Sequence, residues 1–477
     1  MRKSSAIAQD IAELVSGQLS RTGSPEGLPS NYRVVDHYSI SPLDYYVLEG
    51  EDGSLKYFVN EPAPTSEDVE LLARALALDP FCVERRCAEA LARRLGARDS
   101  SRFAYLFLKL TSSYGPIYPL VIDPNVEDVF VEPNSVAKVM HTKYSWYGWI
   151  ETNVFIDSSA VDSLAIRIAR TSNRSISYAS PLVEGMGDGG TRFSISFGNE
   201  ISRKGSTIVI RRRANKPLTM PTLINDGVLC SVLASYLWLV LEARGWIVVA
   251  GGVGAGKTTF LQALLTLVPP QWKVVTIEDT PEILGTTGIW DPLVEVAGAK
   301  GGITMYDLLR ASLRRRPDLI VVGEVRGAEA KLLVQASRLG HGVLNTFHAD
   351  SPKALLERMA SPPISIPREL LDNIWTIVVV SREGPLRKVA TVEEVLGGRL
   401  VKIHSLEEGC ADPELLAERS RRLQQRLDVS ALSAEIARRA EFLEGMVSKG
   451  IFELGELAHT LRRFYSGGIS LEKAHGG

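Results

Sequence analysis

Residues 246–267 read Trp246-Ile247-Val248-Val249-Ala250, then Gly251-Gly252-Val253-Gly254-Ala255-Gly256-Lys257-Thr258-Thr259, then Phe260-Leu261-Gln262-Ala263-Leu264-Leu265-Thr266-Leu267. The first part is a short apolar run of the kind that forms a buried parallel strand. The last part carries apolar residues at helical spacing and stops at Pro269-Pro270. Between them Gly251, Gly256, Lys257 and Thr258 fit the pattern G-x-x-x-x-G-K-[ST]. Glycines let the backbone take positive φ and approach an anion. Successive N–H groups then form a nest for phosphate oxygens, and the following helix adds its positive end. Residues 251–259 are therefore expected to hold the phosphates of a nucleotide, with Lys257 on the β- and γ-phosphates and the Thr258 hydroxyl on Mg²⁺. A chance match in a Gly-rich turn would lack the strand before and the helix after.

Working outward, residues 222 to about 400 alternate between strand and helix patterns. A helix over 222–243 leads into the strand at 246–250. Lys273–Ile277 is a strand ending in Glu278-Asp279, and Met305–Arg314 is helical. Asp318–Val322 is a strand ending in Gly323-Glu324, and 327–338 is a helix. Gly342–Phe347 is a strand ending in His348, and Ile374–Val380 is a further strand. Such alternation after a phosphate loop predicts a parallel sheet covered on both faces, with ligands at the C-terminal strand ends. A carboxylate at such an end, Glu278 or Glu324, can hold Mg²⁺ through water or orient the attacking water. His348 can donate to the γ-phosphate. Singly, each has a plainer reading as a loop residue or helix cap; three in order after a phosphate loop favour the site. Arg314-Arg315-Arg316 reads as a solvated helix end, and His341 stays open between structure and function.

Upstream, residues 1 to about 30 read as a weak helix and a flexible lead-in. Tyr45–Leu48 and Lys56–Val59 flank Gly50-Glu51-Asp52-Gly53, a hairpin signal. Residues 66–96 are helical in pattern, interrupted at Pro80. Residues 116–156 are β-type, and the aromatics of Tyr144–Ile150 read as strand packing rather than a base-stacking platform. Residues 158–170 form a helix capped by Ser158 or Ser159. Asp188–Phe193 is a turn, and Ser206–Ile210 a strand. The stretch Lys216–Pro221 breaks both patterns and marks a boundary. Beyond 412 the chain is helical, with Asp412 as N-cap and Pro413 in the first turn.

The chain has 477 residues, 54 basic against 56 acidic, a net charge of −2. A generally basic nucleic-acid binder is not suggested. The four cysteines, Cys82, Cys87, Cys230 and Cys410, include no C-x-x-C pair, which speaks against a zinc knuckle and suits a reducing cytoplasm. The most apolar helix candidate, Val228–Leu241, is shorter than the roughly 20 residues of a membrane span. A soluble chain with at most a peripheral membrane role is expected.

Four blocks in order resemble the secretion-superfamily ATPases of type II secretion, type IV pili and type IV secretion. They are Gly251–Thr258, Thr276–Asp279, Arg316–Gly327 and Thr346–Ser351. They correspond to the Walker A motif, the Asp box, a Walker B motif ending Gly-Glu, and the His box. Residues 143–155, 167–182 and 188–213 are similar to the N-terminal domain of archaeal pilus and archaellum motor ATPases. The four-cysteine zinc insertion common in bacterial pilus-assembly members is absent.

The resemblance implies an α/β chain with a RecA-like P-loop core. Its expected parts are an N-terminal extension at 1–110, a mixed α/β N-terminal domain at 111–216 and a linker at 217–221. The ATPase domain follows at 222–405 and a small helical region at 406–477. It implies ATP and Mg²⁺ as cofactors, with residues 251–259 (Gly251, Gly252, Val253, Gly254, Ala255, Gly256, Lys257, Thr258, Thr259) on the nucleotide and Thr258 and Glu324 on the metal. Glu278 is then the first choice to activate water, Glu324 assists, and His348 senses the γ-phosphate. Arg192 and Arg211 approach the phosphates across domains or subunits, with Arg203 and Arg326 as lesser candidates. The implied partners are other copies in a hexamer, a polytopic membrane platform protein and, indirectly, pilin-like or secreted subunits, at the cytoplasmic membrane face. Two alternatives stay open: a RecA-like nucleic-acid motor, marked by DNA-stimulated turnover, and a nucleotide-binding scaffold, marked by assembly without phosphate release.

Overall fold

The computed structural model describes residues 31–79, 81–212, 217–296, 302–383 and 386–467. The chain falls into two compact units, Met1–Ala214 and Asn215–Gly477. The expected lead-in at 1–30 lies outside the described residues.

In the first unit, strands β1 (Tyr32–Ile40), β2 (Leu43–Gly50) and β3 (Leu55–Asn60) precede helices α1 (Ser66–Leu78), α2 (Arg85–Leu95), α3 (Ser100–Thr111) and α4 (Tyr118–Ile122). Then follow β4 (Val126–Val131), β5 (Ser135–His141), β6 (Ile150–Ile156), α5 (Ser158–Thr171), β7 (Leu182–Met186), β8 (Arg192–Ser196) and β9 (Thr207–Arg211). The described strands form one sheet in the order β1-β2-β3-β6-β5-β4-β9-β8-β7. The boundary expected at 110/111 does not divide it. β3 comes before that point and pairs in parallel with β6, which comes after, so the backbone groups of the β3 edge are satisfied across it.

The expected hairpin is β2–β3, antiparallel. In β6, Ile150, Thr152, Val154 and Ile156 are buried while Glu151 and Phe155 face out, the alternation of a half-buried strand. In α5, Val161, Leu164, Ala165, Ile168 and Ala169 form one buried stripe at helical spacing. Its cap is not Ser158 or Ser159 but Asp157, whose side chain accepts from the Ala160 N–H. The carboxylate stands one residue earlier and reaches the first turn from extended backbone. Residues 144–149 are not strand either. Hydrogen bonds from Tyr144 N–H to His141 O and from Tyr147 N–H to Tyr144 O turn the chain, leaving Trp146 and Trp149 exposed.

The second unit begins with α6 (Met220–Asn225) and α7 (Ser231–Glu242), which replace the single helix expected over 222–243. Asn225-Asp226-Gly227 breaks it: Gly227 takes φ +68° and donates to Ile224 O, a helix stop that outweighs the apolar periodicity on either side. Then come β10 (Trp246–Ala250), α8 (Lys257–Leu265), β11 (Lys273–Glu278), β12 (Ile289–Val294), α9 (Met305–Ser312), β13 (Leu319–Val322), α10 (Glu329–Arg338), β14 (Gly342–Phe347) and α11 (Pro352–Ala360). The unit ends with β15 (Ile374–Glu383), β16 (Leu386–Leu396), β17 (Arg399–Ser405), α12 (Pro413–Arg419), α13 (Val429–Ser448) and α14 (Leu454–Gly467).

The second sheet has the order β12-β11-β13-β14-β10-β15-β16-β17. Pairing is parallel from β12 to β15 and antiparallel beyond. Its strands bury both faces. Ile247 and Val249 of β10 enter one core with α7, α8 and α13, while Trp246, Val248 and Ala250 enter another with α10 and α11. β13 divides likewise, Leu319 and Val321 against Ile320 and Val322. This two-sided burial is why the strands read as unbroken apolar runs.

Strands β12, β16 and β17 carry no such signal and were not expected. β12 contains Pro292, which is tolerated because β12 is an edge. The helices after 412 share the first of these cores: Leu416, Leu432, Ile436 and Leu443 pack in it with Leu237. Arg439, fully buried, pairs with Glu242 at 2.6 Å and stacks on Trp238. The cysteines are joined as Cys82–Cys87 and Cys230–Cys410. The second pair is 180 residues apart in sequence and so invisible to spacing. Among the described residues no helix is long and apolar enough to cross a membrane.

Candidate nucleotide-binding site

The loop between β10 and α8 has the backbone its glycines predict. Gly256 precedes α8 in the left-handed region, φ +93°. A Cβ on Gly251 would stand 2.4 Å from the carbonyl oxygen of Val380, so no side chain fits there. Lys257 opens α8, is nearly buried, and donates from Nζ to the Gly252 carbonyl at 2.7 Å. Thr258 and Thr259 follow in the first helical turn.

Strand order brings the distant motifs to this loop. β11, β13, β14 and β10 are consecutive parallel neighbours, so their C-terminal ends lie side by side. Glu278 ends β11, Gly323-Glu324 follow β13, and His348 follows β14. His348 Nδ1 lies 3.2 Å from Lys257 Nζ, and its Nε2 lies 3.2 Å from Glu324 Oε1. Arg326 Nη2 donates to Glu324 Oε2 at 2.6 Å, while Arg326 Nη1 is 3.7 Å from Asp279. Arg358, which the sequence reading did not single out, donates to the His348 carbonyl and stacks on Phe347. It holds the backbone of the histidine.

Charge follows from these contacts. Burial works against ionisation of Glu324, but the Arg326 hydrogen bond and the cations around it outweigh burial and hold its carboxyl below the ordinary range. Burial, with repulsion from Lys257, lowers His348 below the usual imidazole value, against the pull of Glu324. Burial also lowers Lys257, opposed by Glu324 and Asp350. At neutral pH the site therefore holds an ionised Glu324 beside a neutral His348.

Glu278 sits differently. It is almost fully buried, and its Oε1 accepts from the N–H groups of Glu282 and Ile283 at 2.8 and 2.9 Å. Its carboxylate organises the loop after β11, while Glu324 stands in the line that reaches Lys257. The Thr258 hydroxyl and the Glu324 carboxylate are hard oxygen donors, which fits Mg²⁺. His341 Nδ1 lies 2.8 Å from the Pro317 carbonyl, a structural contact.

The remaining arginines belong to the first unit. Arg192 of β8 and Arg211 of β9 are cross-strand partners. Arg192 lies 3.8 Å from Glu184, and Arg211 Nε donates to Asp128 at 2.9 Å. Both side chains are well exposed, at 41% and 57%. Arg203 lies on the connection between these strands.

The chain matches the family model described as type II/IV secretion system protein over residues 200–440. An uncharacterized protein of Methanocaldococcus jannaschii is 30% identical over 398 residues, 79% of this chain and 72% of its own. The type IV secretion system protein PtlH of Bordetella pertussis is 30% identical over 274 residues, 48% of this chain and 79% of its own. The X-ray structure of the Legionella pneumophila ATPase DotB aligns at a TM-score of 0.44 and 15% identity, covering 72% of this chain and 93% of that one.

Proposed function

The chain belongs to the type II/IV secretion system protein family; on that premise we propose that it is an ATPase with a RecA-like P-loop fold, a Mg²⁺-dependent motor whose hydrolysis drives filament assembly or protein secretion. The observation that carries this reading is the line Lys257–His348–Glu324 beside the phosphate loop. All of these residues lie inside the matched segment 200–440.

The geometry supports the following division of labour. N–H groups of residues 252–259 cradle the phosphates, and Lys257 leaves the Gly252 carbonyl to neutralise the β- and γ-oxygens. Thr258 and Glu324 would hold Mg²⁺, which would offset the charge that develops on the phosphate oxygens. Glu324, kept ionised by its arginine and lysine neighbours, orients the attacking water; Glu278 shapes the adjoining loop. His348 reports the state of the γ-phosphate to Glu324. Arg192 and Arg211 supply positive charge to the transition state.

On this reading the working form is a hexameric ring at the cytoplasmic face of a membrane, docked on a polytopic platform protein and acting on pilin-like, archaellin-like or secreted subunits. The deciding experiment is phosphate release from Mg²⁺-ATP by the full chain beside Glu324→Gln, with and without anionic vesicles and single-stranded DNA. Turnover lost in the variant and indifferent to DNA supports the motor. Turnover that depends on DNA overturns it in favour of a nucleic-acid motor.

A further inference from the structure

The β15–β16 hairpin outruns the sheet beside the phosphate loop. Ala250, the last residue of β10, pairs with Val379, and β15 continues through residues 380–383 before the chain returns along β16. This overhang lies against the loop itself. The Val380 carbonyl meets the Cβ position of Gly251, and Arg387 meets that of Gly256, with Cδ at 2.9 Å and Nε at 3.3 Å. The start of β16 is pinned from behind. Lys388 Nζ donates to the Gly227 carbonyl at 2.6 Å, and Val389 N–H donates to the Val228 carbonyl at 3.0 Å. Arg387 is thus held across the residue that precedes Lys257. Its Nε is buried and, among the described residues, has no hydrogen-bond partner.

A buried guanidinium N–H without an acceptor is costly, and the penalty is removed when an anion arrives. Guanidinium is planar, permanently charged and matched to phosphate oxygens. The acceptor that belongs beside Gly256 is the phosphate chain held by the loop. We propose that Arg387 is a nucleotide-binding residue, a cation supplied from within the same unit that contacts the phosphates shared by ADP and ATP. This rests on the ATPase reading above and adds to it a contact that the loop motif does not contain. The hairpin makes it, so nucleotide occupancy is coupled to the antiparallel end of the sheet.

The test is binding of Mg²⁺-ADP and Mg²⁺-ATP to the full chain by calorimetry, for the wild type, Arg387→Gln and Arg387→Lys, each with its melting temperature in the absence of nucleotide. Loss of a charged hydrogen bond predicts about tenfold or more weaker binding of both nucleotides in Arg387→Gln, at a nucleotide-free melting temperature no lower than that of the wild type. Arg387→Lys keeps the charge without the fork and falls between the two. If Arg387→Gln does not fold, Arg387→Lys decides, because a weaker affinity in a chain of wild-type stability still supports the contact. Wild-type affinity in a folded variant overturns the assignment while leaving the ATPase reading intact. A wild-type chain that binds neither nucleotide overturns both.

Discussion

His348 and Lys257 are hydrogen-bond partners, with Nδ1 3.2 Å from Nζ. A lysine ammonium only donates, so Nδ1 is the acceptor and the neutral ring carries its proton on Nε2. The protonated Nε2 lies 3.2 Å from Glu324 Oε1. The loop lysine and the strand-end carboxylate thus stand on either side of one histidine ring, although 67 residues of sequence separate Lys257 from Glu324.

This tautomer gives a pH prediction. Protonation would turn Nδ1 into a donor facing an ammonium and break the Lys257 contact. Burial and Lys257 place the His348 transition below the ordinary imidazole range, so turnover should be flat around neutrality and fall only in acid. The sign for stability agrees: the unfolded ring binds a proton more readily than the folded one. The site therefore opposes folding as pH drops through that window, and stability recovers as pH rises. A pH profile of kcat for the wild type and His348→Gln checks this. An identical acid limb in the variant would assign the limb to another group.

Glu324 and Glu278 should separate cleanly. Glu324→Gln keeps the shape of the side chain and should retain ATP binding while losing about 10²-fold or more in kcat, the usual scale for a positioned acid–base group. Glu278→Gln weakens the acceptor for the Glu282 and Ile283 N–H groups, and should lower stability by about 1–3 kcal/mol. Denaturant midpoints measured with single-turnover hydrolysis decide. A Glu278→Gln chain of wild-type stability and no turnover would return the catalytic role to Glu278.

The cross-strand pair Arg192 and Arg211 predicts a different phenotype. Substituting either by Gln should leave nucleotide affinity within about threefold but cut turnover by about 10³-fold, the scale of an arginine that acts on the transition state. Doping inactive Arg211→Gln chains into wild type should depress activity more than in proportion to their fraction if the arginine serves a neighbouring subunit. A linear decline would confine its action to its own chain. Mass photometry of the same mixtures shows whether the assembly is a hexamer.

What the sequence made legible follows a physical rule. β10, β11, β13 and β14 are buried on both faces, so their apolar runs announce them, and each terminal Glu278, Glu324 or His348 stands out as a polar residue closing such a run. β12 and β16 are half-exposed strands, and Pro292 disguises the former, so their pairing becomes visible only with the sheet. Arg387 was missed for that reason: it lies more than a hundred residues from Gly256 and meets it only through the hairpin. Asp226-Gly227 is a helix stop, but apolar residues continue on both sides of it and carry the helical pattern across.

The Cys230–Cys410 bond gives the last prediction. It ties the residue just before α7 to the segment before α12, closing a loop of 180 residues around the sheet and the phosphate loop. In the chain-entropy account such a loop restricts the unfolded state by about 5 kcal/mol, whereas the five-residue Cys82–Cys87 loop contributes less than half of that. At about 2–4 °C per kcal/mol for a unit of this size, reduction followed by alkylation should lower the melting temperature of the second unit by about 10 °C or more. Cys230→Ser should do the same without reductant, and Cys82→Ser should move it much less. Peptide mapping of the unreduced protein gives the direct check. Four free thiols on the native chain would remove the cross-link, and with it the difference between the two serine variants.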